Sequence, residues 1–404
     1  MLSSDYIDQK EVYKHDRFCS LPWEEVDINL RDRSITWCCY AKRYPFPKVL
    51  ELDFFLKNAE EQERKDYFLQ NKLHPACEVC WKSEEKSNSS LRKTKSNTAK
   101  HNTIKNNPDK NYLRVVGLTF DNICTQSCLY CGPNFSSIIA EERGLENKFL
   151  KYNNEDMKIV LEWLNHVTKD RTEYLDLRIL GGEPLASLEF YKFLDLLQKD
   201  MSDRKFNIHI VTNCSATDKL LDKIESIIKA SKTKWRWSFG LSNEAIGEVA
   251  ENIRFHLDWS VFDKNFNFFI RQPASFIVLA ATPNIFSIKN LPLYIKYVYD
   301  NITKVDVPFG FTNNWVIRPN VLSPANLPVE FKQYVQEAKE IVLNAKGKHA
   351  DACKNNVINW LDKLENIIGT GEYSIKDIEQ FLEQENKYKK HKLNTKLLLN
   401  QVIL

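Results

Sequence analysis

The sequence predicts an α/β chain built on a parallel sheet, and three observations carry that expectation. Strand-like runs alternate with amphipathic helices from Tyr112 onward, the pattern of parallel strands joined by right-handed helical crossovers. Eight of the ten cysteines fall within the first 131 residues, which sets the front of the chain apart. From Pro328 to the C terminus the apolar spacing is helical. Six strands over about 200 residues suit an incomplete barrel or a doubly wound sheet.

Residues 1–81 hold Cys19, Cys38, Cys39, Cys77 and Cys80, and three prolines between Tyr44 and Pro75, with no sustained periodicity. They read as an irregular domain whose small core needs a metal staple. Residues 82–110 carry eight Lys/Arg against three Asp/Glu. That composition suits a solvated linker or polar helix, or a basic surface for an anionic partner. The strands follow at 112–120, 174–180, 206–212, 235–241, 274–281 and 304–311. Between them Met157, Val160, Leu161, Leu164 and Val167 recur at helical spacing, as do Phe190, Phe193, Leu194 and Leu197, then Leu220, Leu221, Ile224, Ile227 and Ile228. In the tail, Pro328 suits the first turn of a helix and Gly347 its end. Ser374 and Asp377 have capping-box spacing for another helix. The expected parts are a front of residues 1–110, a core of 111–325 and a helical tail of 326–404.

The 404 residues are 43% hydrophobic and 27% charged, an ordinary globular composition. No apolar run approaches the roughly 20 residues that cross a bilayer. The first residues are acidic without an apolar core, so no signal peptide is expected. A net charge of +3 is too mild to point to nucleic acid. The expected location is the cytoplasm, with no membrane partner. In a reducing compartment clustered cysteines bind metal or do chemistry rather than form disulfides.

Directly after the first strand comes Cys124-Thr-Gln-Ser-Cys128-Leu-Tyr-Cys131. Three thiolates on one short loop can hold three irons of a cubane. The fourth iron then stays open to an amino acid's amino and carboxylate groups. A zinc knuckle is the plainer alternative. The position fits chemistry, because parallel α/β barrels place active sites at the carboxyl ends of their strands. The second strand ends in Gly181-Gly182-Glu183-Pro184, and two glycines at a strand end let a ligand approach the backbone. One strand apart, the two motifs face the same rim.

With these motifs the sequence resembles the radical S-adenosylmethionine (SAM) superfamily. Tyr130 before the last cysteine, Thr212-Asn213 at the third strand end and Ser242-Asn243 after the fourth also match, over about residues 112–312. The resemblance implies a partial (β/α)6 TIM-like barrel, a [4Fe–4S] cluster on Cys124, Cys128 and Cys131, and SAM bound to it. It implies that the reduced cluster cleaves SAM to a 5′-deoxyadenosyl radical, which takes hydrogen from a substrate. A one-electron donor such as flavodoxin or ferredoxin is then a partner. Gly181, Gly182, Glu183 and Pro184 would form the methionine amino site, with Thr212 beside it. Tyr130 would lie by the adenine through its backbone, Ser242 and Asn243 by the ribose, and Arg254 by the methionine carboxylate. Cys214 stands where relatives often have glycine.

The front phrases FCSLPW, WCCY and CEVCWKSEE resemble the auxiliary iron–sulfur regions called twitch or SPASM-like, placed here ahead of the barrel. Cys77 and Cys80 form a metal pair that Cys19 and either Cys38 or Cys39 would complete. Adjacent residues of an extended segment point oppositely, so one of the two is expected to ligate, and Cys38 is favoured. Four thiolates close a site, which suits a structural or electron-transfer centre; structural zinc is the alternative to iron–sulfur.

Strand alternation adds candidates for the cavity wall. Leu175, Leu177 and Ile179 read as outward, so Arg178 points inward. His209 shares a face with Asn207 and Val211, and Arg236 opposes Trp235 and Trp237. Arg178, His209 and Arg236 are therefore the expected substrate-lining residues, with inner ion pairing as the alternative. Cys214 at the rim is a candidate substrate-proximal thiol. The leading function is hydrogen abstraction from a peptide or protein side chain. A sugar, nucleotide or other small metabolite is the second substrate class. A zinc-stapled nucleic-acid-binding protein is the third reading, and it leaves Gly181–Pro184 unexplained.

Overall fold

The computed structural model describes residues 17–45, 59–87, 90–95, 98–145, 154–231, 234–305, 307–312, 315–316, 318–389 and 391–403. The chain divides into two compact units. The first comprises Met1–Thr119, Leu150–Arg178 and Asp203–Phe206; the second comprises Phe120–Phe149, Ile179–Ser202 and Asn207–Leu404.

The first unit contains the strands β1 (Glu25–Asn29), β2 (Ser34–Thr36), β3 (Tyr44–Pro45) and β4 (Val115–Thr119). Chain order differs from sheet order here: β4 lies parallel to β1, while β2 pairs antiparallel with both β1 and β3. The described residues of the front are thus more regular than expected. Val26, Ile28 and Leu30 alternate and are buried, and this short period-2 signal is what makes β1 a strand. The segment 82–110 takes the helical form of that expectation rather than the linker, with some of its side chains buried. It forms helices Glu78–Ser87, Leu91–Lys95 and Thr98–Asn106. Arg92, His101 and Ile104 are buried. Arg92 tolerates burial because Glu84 neutralises it at 2.5 Å and its guanidinium stacks 4.8 Å from the Trp81 ring centre. Helix Asn154–Thr168 buries Met157, Val160, Leu161 and Leu164, the stripe its spacing predicts.

The second unit follows a simpler rule. Its strands β7 (Phe206–Thr212, from Asn207 onward), β8 (Trp235–Leu241), β10 (Ala274–Leu279) and β11 (Phe309–Phe311) neighbour one another in chain order. The β8/β10 and β10/β11 pairs are parallel. Strand β6 (Leu175–Leu180) begins in the first unit and ends in the second. Helix Leu188–Met201 buries Phe190, Phe193, Leu194 and Leu197, and Ser187 caps it through Phe190 N–H at 3.2 Å. Helix Asp218–Ala230 buries Leu221, Ile224, Ile227 and Ile228.

The tail packs within this second unit as helices Lys332–Asn344, Lys348–Ile367, Ile375–Tyr388 and Thr395–Asn400. Ser374 and Asp377 form the reciprocal capping box. Gly347 does not end the preceding helix as expected. Ala345 does, and Gly347, with φ 140°, precedes the helix that starts at Lys348. No described helix is long and apolar enough to cross a membrane.

Candidate functional site

The cysteine triplet lies in the second unit, on the loop that follows β4, and the chain clamps this loop at every turn. Cys124 N–H donates to Ser137 Oγ at 3.2 Å, and Ser136 Oγ donates to Gln126 C=O at 2.8 Å. Ser127–Cys128 forms a two-residue strand, β5, antiparallel to the two-residue strand β9 (Arg254–Phe255). Leu129 N–H donates to Ile253 C=O, and Cys131 N–H to Cys128 C=O, each at 3.0 Å. Two donors already address the first sulfur: Gln126 N–H at 3.5 Å and Asn213 Nδ2 at 3.8 Å. All three cysteines are half-buried. Burial pushes the Cys124 thiol up to about 11 and raises Cys128 and Cys131 as well. Thiols so raised become thiolates at neutral pH only when a metal takes the place of the proton.

Glu183 is the knot that joins this loop to the rim. Its N–H donates to Ile123 C=O at 2.6 Å. Its carboxylate accepts from Leu185 N–H at 3.1 Å, Thr212 Oγ1–H at 2.8 Å and Asn213 N–H at 2.6 Å. Pro184 occupies the first position of the short 3-10 turn that Glu183 caps. Ser242 N–H donates to Thr212 C=O at 2.9 Å, so the ends of β6, β7 and β8 are tied together. Gly182 meets the chain itself: a Cβ there would lie 2.2 Å from Ile123 O and 2.6 Å from Asn122 O, so the cysteine loop already approaches this glycine closely. Gly181 has φ 141°, a conformation left to glycine. Cys214 has φ 58°, which explains why a glycine would suit this turn; the left-handed conformation costs a residue with a Cβ about 1 kcal/mol.

Burial raises the Glu183 carboxyl to about 7, against the three hydrogen bonds that pull it down. Between its ordinary value of 4.5 and about 7 the folded chain therefore binds more protons than the unfolded one. Its contribution to stability is complete below the lower value and is lost as pH rises through the upper. In the metal-free chain, E183Q is expected to gain stability relative to the parent by roughly 3 kcal/mol between pH 4.5 and pH 8. Urea midpoints at both pH values check this; a gap that moves the other way would mean that the three donors outweigh burial.

Tyr130, Glu244 and Arg254 make a buried cluster beside the loop. Tyr130 OH donates to Glu244 at 3.0 Å. Arg254 holds the same carboxylate through Nε at 3.1 Å and Nη2 at 2.7 Å. Arg254 thus already spends one edge of its guanidinium inside the protein. Asn243 is buried and donates to Ala245 C=O at 2.7 Å, while its Oδ1 accepts from no described group. A buried amide oxygen without a donor is costly, and it is the kind of atom a ligand hydroxyl satisfies.

Alternation along β6 and β7 follows the predicted faces: Arg178 and His209 are both half-buried, opposite fully buried neighbours. Arg178, however, does not face free space. It pairs with Asp27 at 3.0 Å and Glu25 at 3.3 Å, two acids of β1. Gly117 makes room for this pair, because a Cβ there would collide with the Asp27 carboxylate. Arg236 is exposed near the start of β8, at the opposite end of that strand from Ser242. His209 Nδ1 lies 2.9 Å from Ser238 Oγ. Cys214 is fully buried, with a thiol raised by burial, and packs rather than facing solvent.

The first unit carries the second thiol group. Cys19, Cys38, Cys77 and Cys80 line one cavity with Leu21, Phe68, Arg64 and Arg92. Cys39 is exposed and lies outside its wall. Tyr40 N–H reaches Cys38 Sγ at 3.5 Å. Burial raises Cys77 to about 12 and raises Cys19 and Cys80. Arg64 is buried with Glu61 at 2.9 Å, and its Nε has no described partner. Four thiols with two buried cations beside them fit an anionic metal–thiolate centre. Among the described residues no three His, Cys, Asp or Glu side chains are drawn together closely enough to hold a single metal ion.

Sequence reasoning missed Glu244 and Lys389, and the reach of Asn213. Glu244 follows Asn243 directly and was legible only as a neighbour of a matched motif. Asn213 was part of such a motif, but its reach to Cys124 was not visible. Lys389 lies far along the chain and gave no local signal.

No protein-family model matches the chain, and no curated protein matches it. Among solved structures it is similar to Streptococcus suis SuiB bound to S-adenosylmethionine, at 12% identity over 70% of this chain and 63% of that one, with TM-score 0.40. It is similar to the same organism's SuiB bound to the precursor peptide SuiA, at 13% identity, 67% and 61% coverage and TM-score 0.38. Against Streptococcus suis SuiB alone the values are 13%, 82%, 71% and 0.39. The chain spans less than two thirds of the first two structures. At these TM-scores the likeness carries no argument, so function rests on this chain's own residues.

Proposed function

We propose that this chain is a radical SAM enzyme that abstracts hydrogen from a peptide or protein side chain. The observation that carries the reading is the clamp between the three-cysteine loop and the Gly181–Pro184 strand end. Glu183 binds Ile123 C=O through its N–H and the Asn213 N–H through its carboxylate, and Asn213 Nδ2 in turn addresses Cys124 Sγ. Cys124, Cys128 and Cys131 would hold a [4Fe–4S] cluster whose remaining iron is left to SAM. Bound there, the reduced cluster would supply one electron for cleavage of the SAM S–C5′ bond, giving methionine and the 5′-deoxyadenosyl radical that takes a substrate hydrogen.

The protein's own part is binding, orientation and exclusion of water. The Glu183 carboxylate is spent on three internal donors, so the methionine amino group falls to the backbone of Gly181 and Gly182. Asn243 Oδ1 is the acceptor for a ribose hydroxyl, beside Ser242. Tyr130 lies by the adenine through its backbone, its hydroxyl being held by Glu244. Arg254 keeps Glu244 and Tyr130 in place and offers its remaining guanidinium nitrogen to the methionine carboxylate. Cys19, Cys38, Cys77 and Cys80 would hold an auxiliary iron–sulfur cluster, closed by four thiolates. Such a centre ahead of the core supports the peptide class. A cytoplasmic flavodoxin or ferredoxin is the fitting electron donor.

The test is anaerobic purification and reconstitution, with iron, sulfide and zinc measured. About eight irons per chain are expected if both clusters are four-iron cubanes. With dithionite and SAM, 5′-deoxyadenosine should form, and deuterium should enter it from a peptide substrate deuterated in its side chains. A colourless chain that stays zinc-loaded would falsify the chemistry. Deuterium transfer from a labelled sugar or nucleotide, and none from the peptide, would overturn the substrate class alone.

A further inference from the structure

The tail reaches the cysteine loop through one side chain. Lys389 closes helix Ile375–Tyr388 and is buried, with 2% of its side chain exposed. Its Nζ donates to Ser127 C=O at 2.9 Å, to Ser127 Oγ, and to Glu142 Oε2 at 3.0 Å. It lies 5.3 Å from the Phe255 ring centre, on the strand that pairs with Ser127–Cys128. Ser127 stands between two of the three loop cysteines, 262 positions away in sequence. A second ion pair fixes the same helix to the same region: Arg143 Nη2 to Glu385 Oε1 at 3.0 Å, with the Arg143 guanidinium 5.4 Å from the Tyr388 ring centre.

This is an unusual use of a lysine. A tail docked only for stability would bury apolar side chains, because a buried ammonium is costly unless every donor is used. Here the three donors go to one backbone carbonyl, one hydroxyl and one carboxylate. Glu142 is also shared: Ser127 Oγ donates to it at 2.5 Å, and His256 Nε2 lies 3.4 Å away. The loop needs such support, since its own regular structure is a two-residue strand paired with another of two residues, too short to be rigid alone.

Resting on the reading of the triplet as a cluster site, we infer that the helical tail is a working part of that site and that Lys389 is a positioning residue, holding Ser127 so that Cys124, Cys128 and Cys131 keep ligating geometry. The experiment uses the full chain, reconstituted anaerobically. Loop-bound iron is followed by its removal by an Fe(II) chelator and by low-temperature EPR of the dithionite-reduced protein with and without SAM. K389M should lose loop iron about tenfold faster and show altered g-values for that centre, with the iron of the first unit unchanged. K389R, which keeps the charge and the donors, should return toward the parent in both readouts. Parent rates and an unchanged EPR signal in K389M would overturn the inference. If K389M does not fold, E142Q, which removes the shared carboxylate charge and keeps Lys389, should show the same faster loss; parent behaviour there would overturn it equally. A C124A/C128A/C131A chain provides the separate control: iron equal to the parent's sinks the reading of the triplet itself. Iron lower by about four with K389M unaffected sinks only the role of the lysine.

Discussion

Replacing Cys124, Cys128 and Cys131 together by alanine is expected to abolish 5′-deoxyadenosine formation and to remove about four irons per chain. The four thiols of the first unit should stay loaded. The reasoning is one of local independence. Each thiol set lies within its own unit. The backbone that presents the triplet is held by Ser136, Ser137, Ile253 and Lys389 rather than by the cysteines. The substitution therefore deletes ligands without deleting the loop's supports. Half-buried alanines replace half-buried thiols, a change that costs little stability by itself. Iron and sulfide analysis with a deoxyadenosine assay reads the outcome. The reciprocal C77A/C80A chain should keep the triplet's irons and lose the others. If either substitution strips both sets, the two thiol groups do not act as separate centres.

What could be read from sequence follows the range over which each signal acts. The strands after Tyr112, the stripe Phe190–Leu197 and the capping box at Ser374 are local patterns with periods of two, three or four residues, and they stand where the pattern puts them, except that the strand expected at 304–311 is only Phe309–Phe311. The front strand β1 carried the same period-2 signal in Val26, Ile28 and Leu30. It was hidden because its other face holds Glu25 and Asp27, whose burial makes sense only once Arg178 is seen opposite them. The same pairing matches the ion-pair alternative for Arg178: alternation gives the face of a side chain, not what occupies that face. In the 82–110 stretch, composition averaged over Arg92 and its solvated neighbours, and only Glu84 and Trp81 distinguish it. Lys389 is the extreme case. It sits in a run of basic residues with no local difference among them, and its partner is 262 positions away. Motif matching placed the triplet, Glu183 and Asn213 together at one rim, but the three internal donors that the Glu183 carboxylate accepts were not visible to it.

Gly182 makes the sharpest single-residue test of that rim. In G182A the new Cβ would sit 2.2 Å from Ile123 O and 2.6 Å from Asn122 O. Both are backbone atoms, so no side chain can rotate away, and one of two peptide segments must move. The first lies one residue before Cys124, and the second is held by the Glu183 N–H bond to Ile123 C=O at 2.6 Å. Overpacking of this kind costs about 3 kcal/mol or more when the backbone resists. When the backbone yields, the cost appears as geometry: the Glu183 bond lengthens and the start of the cysteine loop shifts. The expected result is a fall of about 6 °C or more in the unfolding midpoint of the metal-free chain, together with faster loss of loop iron in the reconstituted one. Ligand approach predicts a different pattern. If the glycine served only to admit a methionine amino group, the metal-free chain would keep its parent stability and the loss would fall on SAM affinity alone. Calorimetry of the metal-free protein therefore separates the two explanations before any turnover is measured.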